Sequence, residues 1–366
     1  MLLAAFFICV LLQCLYGLFF LRNTARPSAL YHEKPTIPLT VLICARNEAQ
    51  NLSRNLPALL EQIYTDEAGM PLYEVLVVDD HSIDDTQDVV TGLIAQFSHL
   101  RYIRSGLPAG KQYALQAGAE AAQYDILVLT DADCTPAGSN WLAALSAPFS
   151  EGKEIVLGYG RYNSRPGLLN TFIRWETVHT FLQYSSYAIA GIPYMGVGRN
   201  MACTRQLLQS AGRHPLWQKL TSGHDDIIVQ SGAGSGNTAV ICTPESVTCS
   251  EAESDLNNWI KQKQRHTSTG KYYREPGRTL LGIYAITHAG MWLSVCIMSI
   301  LCLWTPAAFV LFAVRCVIAW MVFRLVTRKT GERFTFFTWL AGDSGWMIYN
   351  FAFLPYISWK NKTNWK

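Results

Sequence analysis

The sequence predicts an α/β fold: a mostly parallel sheet with helices on both faces, held between apolar helices at the two ends of the chain. Three observations predict it. Short runs that are apolar at every position alternate with segments of helical spacing. Polar residues gather where those runs end, and the long uncharged stretches fall toward the termini. Over 366 residues the charged fraction is 16% and the hydrophobic fraction 50%, a mean that conceals an ordinary globular part and a greasier one.

Residues 1–21, "MLLAAFFICVLLQCLYGLFFL", contain no Asp, Glu, Lys or Arg. As a helix at ~1.5 Å per residue they reach roughly 31 Å, about one bilayer core. A cleaved signal peptide is the rival reading, but the segment lacks a basic start and a small-residue cleavage site, and its basic flank, Arg22 and Arg26, follows it. "LTVLICARNE" (39–48) then reads as a strand, and "NLSRNLPALLEQIY" (51–64) as a helix with Leu52, Leu56, Leu59, Leu60 and Ile63 inward. "YEVLVVDDHS" (73–82) is the next strand, followed by a helix over 86–97 with Val89, Val90, Leu93, Ile94 and Phe97 on one side. "LRYIR" (100–104) precedes the helix "KQYALQAGAEAA" (111–122), and "YDILVLTDAD" (124–133) is the fourth strand. Strands that are apolar at every position are covered on both faces, which makes the sheet largely parallel.

From Thr279 to Trp304 charge is again absent, and after the Thr305-Pro306 break a second apolar run reaches Val326, interrupted by Arg315 and Arg324. These read as two spans joined by a tight turn. Residues 334–357 are aromatic-rich but carry Asp343 and glycines, so an interfacial or re-entrant element competes with a full span. Basic clusters orient the chain: Arg22 and Arg26; Arg324, Arg328, Lys329 and Arg333; Lys360, Lys362 and Lys366. If all three are cytoplasmic, so is the central domain, and the last segment returns to the side it left, which favours the re-entrant reading. The expected division is an anchor at 1–22, a central domain at 36–275, a membrane region at 279–357 and a basic tail at 358–366.

The ten cysteines form no CxxC pair, and Cys9, Cys14, Cys296, Cys302 and Cys316 lie in apolar segments. They read as reduced, mostly buried small hydrophobes. His179, His214 and His288 read as core or surface histidines, and no His cluster suggests zinc. A net charge of +3 is too weak to argue for nucleic acid, and the scattered Lys and Arg show no stripe, so no nucleic-acid partner is expected.

In open parallel sheets ligands sit outside the carboxyl ends of the strands. Arg46, Asn47 and Glu48 end the first strand, Asp79 and Asp80 the second, and Asp131 and Asp133 the fourth. Solvated loop carboxylates would explain one such pair; polar ends on three strands point to a shared rim. Two carboxylates one residue apart suit a hard divalent cation, Mg²⁺ or Mn²⁺, whose remaining positions go to water and phosphates. No GxxxxGK[ST] loop is present, and no GxGxxG follows the first strand, which argues against P-loop and dinucleotide chemistry.

Taken together, "ARNE" (45–48), "VVDDHSIDDT" (77–86), "GKQYALQAG" (110–118), "TDADC" (130–134), "MGVGRN" (195–200), "SGHDD" (222–226) and "QKQRH" (262–266) resemble the inverting, metal-dependent nucleotide-sugar glycosyltransferases of family 2. Those enzymes have the GT-A fold, and the membrane-anchored bacterial ones are the nearest in character. The resemblance covers roughly residues 36–275. It implies that Ala45, Arg46, Asn47 and Glu48, with Asp80 and its neighbour Asp79, form the nucleotide-base pocket, and that Lys111 approaches the donor diphosphate. It implies Asp133 as the metal ligand, Asp131 on the sugar or ribose side of the same metal site, and Asn200 shaping the acceptor pocket. The family's base lies in a Glu-Asp pair at a helix start; here the pair reads His224-Asp225. Asp225 is the first choice, Asp226 the second, and His224 is either a neutral partner or a weak base. The family's Q-x-x-R-W element appears as Gln262, Arg265 and His266, contacting acceptor and diphosphate, with His where Trp is usual. The bland reading of that stretch is an amphipathic helix on the membrane surface, with Leu256, Trp259 and Ile260 on one face and Lys261, Lys263 and Arg265 on the other.

The expectation is therefore an inverting transferase that moves a sugar from a nucleoside-diphosphate donor, UDP-linked, to a hydroxyl of a lipid-linked or cell-surface glycan acceptor. It would be multi-pass in a bacterial-type inner membrane, with the catalytic domain cytoplasmic. The rivals are a sugar-phosphate nucleotidyltransferase, which would carry a Gly- and basic-rich loop where this chain has "ARNEAQN", and a non-catalytic membrane scaffold.

Overall fold

The structure is a computed structural model, and it describes residues 1–25, 37–220, 222–266 and 269–353. Expectations for Arg26, for the His266 side chain and for the tail 358–366 lie outside the described residues. The main sheet contains β1 (Leu39–Ala45), β2 (Tyr73–Asp79), β3 (Leu100–Arg104), β4 (Ile126–Asp131), β6 (Ile155–Leu157), β8 (Met201–Thr204) and β9 (Thr238–Val240). Their order is β3-β2-β1-β4-β8-β6-β9. Strands β3, β2, β1 and β4 run parallel, and β8 is antiparallel to both β4 and β6. A small sheet of β5 (Thr135–Pro136), β10 (Thr248–Ser250) and β7 (Gly160–Tyr162) stands beside it.

Successive side chains of a strand point to opposite faces, and here both sets are buried. Leu42, Leu76, Leu127 and Leu129 pack on one side, Val41, Ile43, Val75, Val77 and Val128 on the other. Helices α2 (Ala49–Leu60), α3 (Thr86–Ile94) and α5 (Trp141–Ser150) cover the second face through Leu52, Leu56, Val90, Trp141 and Leu145. Helices α4 (Lys111–Ala121), α6 (Leu168–Ile189), α7 (Arg205–Gly212) and α8 (His224–Gly232) cover the first. Two inward expectations are corrected. Helix α2 stops at Leu60, so Ile63 lies past its end and is exposed, and Ile94, the last residue of α3, also faces out.

Among the described residues, three helices are long and apolar enough to cross a membrane: α1 (Leu2–Thr24), α10 (Gly277–Ile300) and α11 (Pro306–Thr330). Gln13 Nε2 donates to the Tyr284 carbonyl and to Thr287 Oγ1, and Tyr16 Oη donates to the Leu280 carbonyl, so α1 and α10 run antiparallel. Lys329 Nζ donates to the Thr24 carbonyl, which brings the end of α11 to the end of α1. Arg22, Arg278, Arg328 and Lys329 therefore share one end of the bundle, the end that meets the α/β domain. Cys296 and Cys302 are exposed, a correction to the burial expected of them; the other cysteines are buried or partly buried, and all ten are free.

The segment after α11 forms α12 (Phe336–Ile348), 13 residues and about 20 Å, too short for a full span. A π-helical turn at Tyr349–Phe353 follows. Asp343 fixes α12 from within: it accepts from Arg315 at 2.5 and 3.1 Å and from Trp292 Nε1 at 3.0 Å, with His288 at 3.3 Å. A Cβ on Gly342 would lie 2.5 Å from the Trp175 ring, so α6 and α12 touch through a glycine. Removing one partner of a buried ion pair strands the other charge, at a cost of about 3–5 kcal/mol. Asp343→Ala should therefore lower the thermal stability of detergent-solubilised protein substantially, whereas Asp343→Leu combined with Arg315→Met should lose less; equal losses would deny the pair its role.

Candidate active site

Strand parity decides which residues reach the rim on the α4 side. Leu42 and Cys44 belong to that face, and Arg46 continues their alternation; Leu76 and Val78 lead to Asp80, Leu127 and Leu129 to Asp131. Arg46, Glu48, Lys111, Asp131, Asp133 and Asp225 all line one cavity of about 1440 Å³.

Asp79 is the correction here. Adjacent residues on a strand cannot point the same way, and Asp79 follows Val75 and Val77 to the opposite face, where it accepts from the Ser82 N–H and from Tyr102 Oη at 2.7 Å. Asp80 is fully buried and accepts from the Gly110 N–H at 2.9 and 3.0 Å, with Arg46 Nη1 at 3.9 Å. Its effect is to pin the start of α4, which sets Lys111. Gly110 sits at φ 150, a backbone conformation that favours glycine. Ala45 is buried and its carbonyl accepts from the Asp80 N–H. Asn47, at φ 56, takes the left-handed conformation that Asn tolerates, and its side chain accepts from the Ile83 N–H. The "ARNE" turn is thus laced to the turn after β2, while Arg46 and Glu48 open to the cavity.

Lys111 Nζ lies 2.6 Å from Asp131 Oδ1. Burial works against the ammonium, but Asp131 outweighs it and keeps the lysine charged; Asp225 adds to the same effect. Asp133 sits two residues on, and burial followed by the Asp131 charge pushes its carboxyl above the usual range. Arg199 counters part of this: its guanidinium donates to Ser250 Oγ at 2.6 Å and the Gly160 carbonyl at 3.0 Å, and stacks 4.1 Å from the Tyr162 ring centre. Two crowded carboxylates of this kind fit a divalent cation. Among the described residues no three His, Cys, Asp or Glu gather as a ready-made cage, so the remaining ligands would come from phosphate and water, the pattern of Mg²⁺-type sites.

The His-Asp-Asp triplet at the start of α8 separates into three roles. Asp225 is half-buried and accepts from the Gly198 N–H at 2.9 Å. Burial raises its carboxyl pKa, while Lys111 restrains the rise. Asp226 turns inward to Thr269 Oγ1 and Tyr273 Oη, and burial, then Asp225, pushes its pKa well up, so it holds the 269–273 segment in place. His224 is buried, with Nε2 3.1 Å from the Trp217 carbonyl, and burial holds its pKa down at about 4. Burial thus favours the neutral imidazole.

Asn200 does not reach the cavity. It is fully buried, accepts from Trp141 Nε1 and donates to the Tyr159 and Ser246 carbonyls. Its neighbour Arg199 is the residue that the cavity uses; the "MGVGRN" motif signalled the place and not the side chain. Helix α9 (Leu256–His266) is docked, with Trp259 buried and Lys263 Nζ 2.5 Å from Glu176, so it is not a solvated surface helix. Leu256, at its first residue, is exposed. Gln262 and Arg265 line the cavity.

Residues 40–206 match the model of a family described as Glycosyl transferase family 2. This domain belongs to that family. The glycosyltransferase domain is 32% identical over 125 residues to glycosyltransferase AglE of Haloferax volcanii, covering 34% of this chain and 40% of the relative. It is 28% identical over 205 residues to "Probable glycosyltransferase YdaM" of Bacillus subtilis, covering 53% of this chain and 46% of that one. The chain thus spans less than half the length of either relative. Among solved structures, a mannosyltransferase from Pyrobaculum calidifontis, in complex with GDP-Man and Mn²⁺, superposes over 96% of this chain and 97% of its own with a TM-score of 0.57 at 19% identity, a likeness of fold. The fold of the α/β domain is GT-A.

His224 gives the site a stability signature. The unfolded chain takes up this proton near pH 6.5 and the folded protein only near 4, so the group removes stability as pH falls between those values. His224→Gln should flatten that part of the melting-temperature profile; an unchanged profile would mean that the imidazole is already charged in the folded protein.

Proposed function

We propose that the chain is a membrane-embedded inverting glycosyltransferase, which moves a sugar from a nucleoside-diphosphate donor, UDP-linked, to an acceptor hydroxyl by a single displacement. The observation that carries this reading is the opening of Asp131, Asp133, Lys111 and Asp225 into one cavity at the carboxyl ends of the parallel strands. Asp133, with Asp131, would hold the Mg²⁺ or Mn²⁺, which when bound supplies charge neutralisation for the departing diphosphate.

The rest falls to the chain's own side chains. Lys111 is a fixed cation beside Asp131, available to the diphosphate as charge builds on it. Asp225 would take the proton of the acceptor hydroxyl; burial raises its pKa, which makes it a stronger base than an exposed carboxylate. Arg46 and Glu48 would meet the nucleotide, with Asp80 setting their platform, and Gln262 and Arg265 would face the acceptor side. His266 is proposed with them from the motif. The acceptor would be lipid-linked or a cell-surface glycan, the glycosyltransferase domain would occupy residues 36–275, and the shared basic end of the three apolar helices supports a cytoplasmic catalytic domain in a bacterial-type inner membrane. The Mn²⁺ and GDP-Man of the Pyrobaculum structure support the metal and the donor class, and leave GDP-sugars as the alternative donors.

Membranes containing the protein, incubated with a panel of UDP- and GDP-sugars and Mn²⁺, should release nucleoside diphosphate from one donor. Asp133→Ala should abolish that release, and turnover that persists without a divalent ion would remove the carboxylate pair from the mechanism. Asp225→Asn should keep donor binding and lower transfer by about two to four orders of magnitude, the usual weight of a general base. Normal transfer by that variant would exclude Asp225 as the base.

A further inference from the structure

The cavity is larger than the roughly 300–1,000 Å³ typical of a single-ligand pocket, and at about 1440 Å³ its walls are of two kinds. The sheet-side half carries the carboxylates and Lys111. The other half is built by the membrane region: Leu281, Gly282 and Ala285 of α10, Trp346 of α12, and Tyr349 after it. Leu281 lies about one turn inside the start of α10 at Gly277, where a spanning helix would pass from water into hydrocarbon. A Cβ placed on Gly282 meets nothing within 4 Å, so that wall faces open space.

At the seam between the halves stand Lys271 and Arg278, both exposed, with Lys219 and Arg265 beside them on the same lining. Of the acidic neighbours, Glu275 pairs with Arg278 at 2.9 Å, Glu176 is taken by Lys263, and Glu253 also lines the cavity, while Lys271 stands in no ion pair among the described residues. Lys271 Nζ lies 4.9 Å from the Tyr272 ring centre. An apolar wall entered past a cationic seam is the complement of one kind of molecule, an amphiphile with an anionic head.

We propose that the membrane-side half of the cavity is the binding site of an anionic lipid acceptor, whose phosphate rests on Lys271 and Arg278 and whose chain leaves along Leu281, Ala285 and Trp346. This rests on the transferase reading and narrows its acceptor to a phosphate-bearing lipid. The lipid would enter sideways from the bilayer, past Gly282, while the nucleotide sugar occupies the sheet-side half. The acceptor hydroxyl would then reach Asp225 from the membrane side, and the two substrates would meet across the seam.

Binding to the full chain in detergent micelles tests this with three probes: fluorescently labelled phosphatidic acid, equally labelled phosphatidylcholine, and inorganic phosphate as competitor. Each interfacial cation raises affinity for an anionic headgroup about fivefold, so phosphatidic acid should bind at least about tenfold more tightly than phosphatidylcholine. Lys271→Ala combined with Arg278→Ala should remove most of that preference. Gly282→Trp, which fills the entry, should weaken both lipids. In both variants the affinity for the donor's nucleoside diphosphate should stay within about twofold, since neither touches the sheet-side half. Equal binding of the two lipids, an unchanged preference in the double variant, or displacement of the labelled lipid by inorganic phosphate at comparable concentration would each overturn the proposal, the last by showing a site for free phosphate. Lipid preference without donor turnover in the unaltered protein would count against the transferase reading and leave the lipid site standing.

Discussion

A parallel sheet must be covered on both faces, because its strands leave no polar side for water. In this protein one cover is α6, and α6 is itself covered by the C-terminal apolar helices: Trp175 lies against Gly342 of α12 and is stacked on Phe323 of α11. The hydrophobic core on the α4 side of the sheet therefore runs without a break from Leu42 and Leu127 through Trp175 to Phe323 and Trp346. Everything distinctive about the site follows from that continuity. The α/β domain is no ball on a tether, since its cavity has a wall made by helices long and apolar enough to cross a membrane.

Inside that continuous core, buried charge is tolerated only where it is matched. Asp343 with Arg315 fixes α12, the Arg174–Glu332 pair ties α6 to the end of α11, and Lys263 with Glu176 docks α9 on α6. These pairs sit at seams between elements, where apolar packing alone would not set the register. The rim behaves differently. Asp131 and Asp133 crowd each other, with Lys111 and Arg199 as partial compensation.

Much of the fold was legible because parallel strands write themselves as unbroken apolar runs, and each predicted strand from Leu39 to Asp131 is present with its helix. The site was legible in part, and strand parity explains which part. Asp131 and Asp133 are two apart and share a side of the chain; Asp79 and Asp80 are adjacent and cannot, so only Asp80 remains on the α4 side. A count of acidic residues at strand ends overstates a site whenever two are neighbours. The "HDD" triplet shows the same limit on a helix, where successive residues diverge by about 100°: all three border the cavity, but Asp225 bonds to Gly198, Asp226 to Tyr273 and His224 to the Trp217 carbonyl. Asn200 was misjudged because a polar residue in a glycine-rich turn looks exposed, and only the packing of Trp141 against it reveals a buried clamp.

The sequence by itself determined the periodicities and the chemistry: which segments are strand, helix or span, and which residue types stand at the strand ends. Those are local properties, fixed by side chains a few positions apart. The tertiary structure alone decided which carboxylate faces the cavity and which holds a neighbouring segment. It also decided that α9 docks on α6, that α12 is clamped by Asp343, and that the long apolar helices close one side of the cavity. These depend on contacts between residues far apart in the chain, such as Gly342 with Trp175 or Gln13 with Thr287, and no spacing within a single segment encodes them.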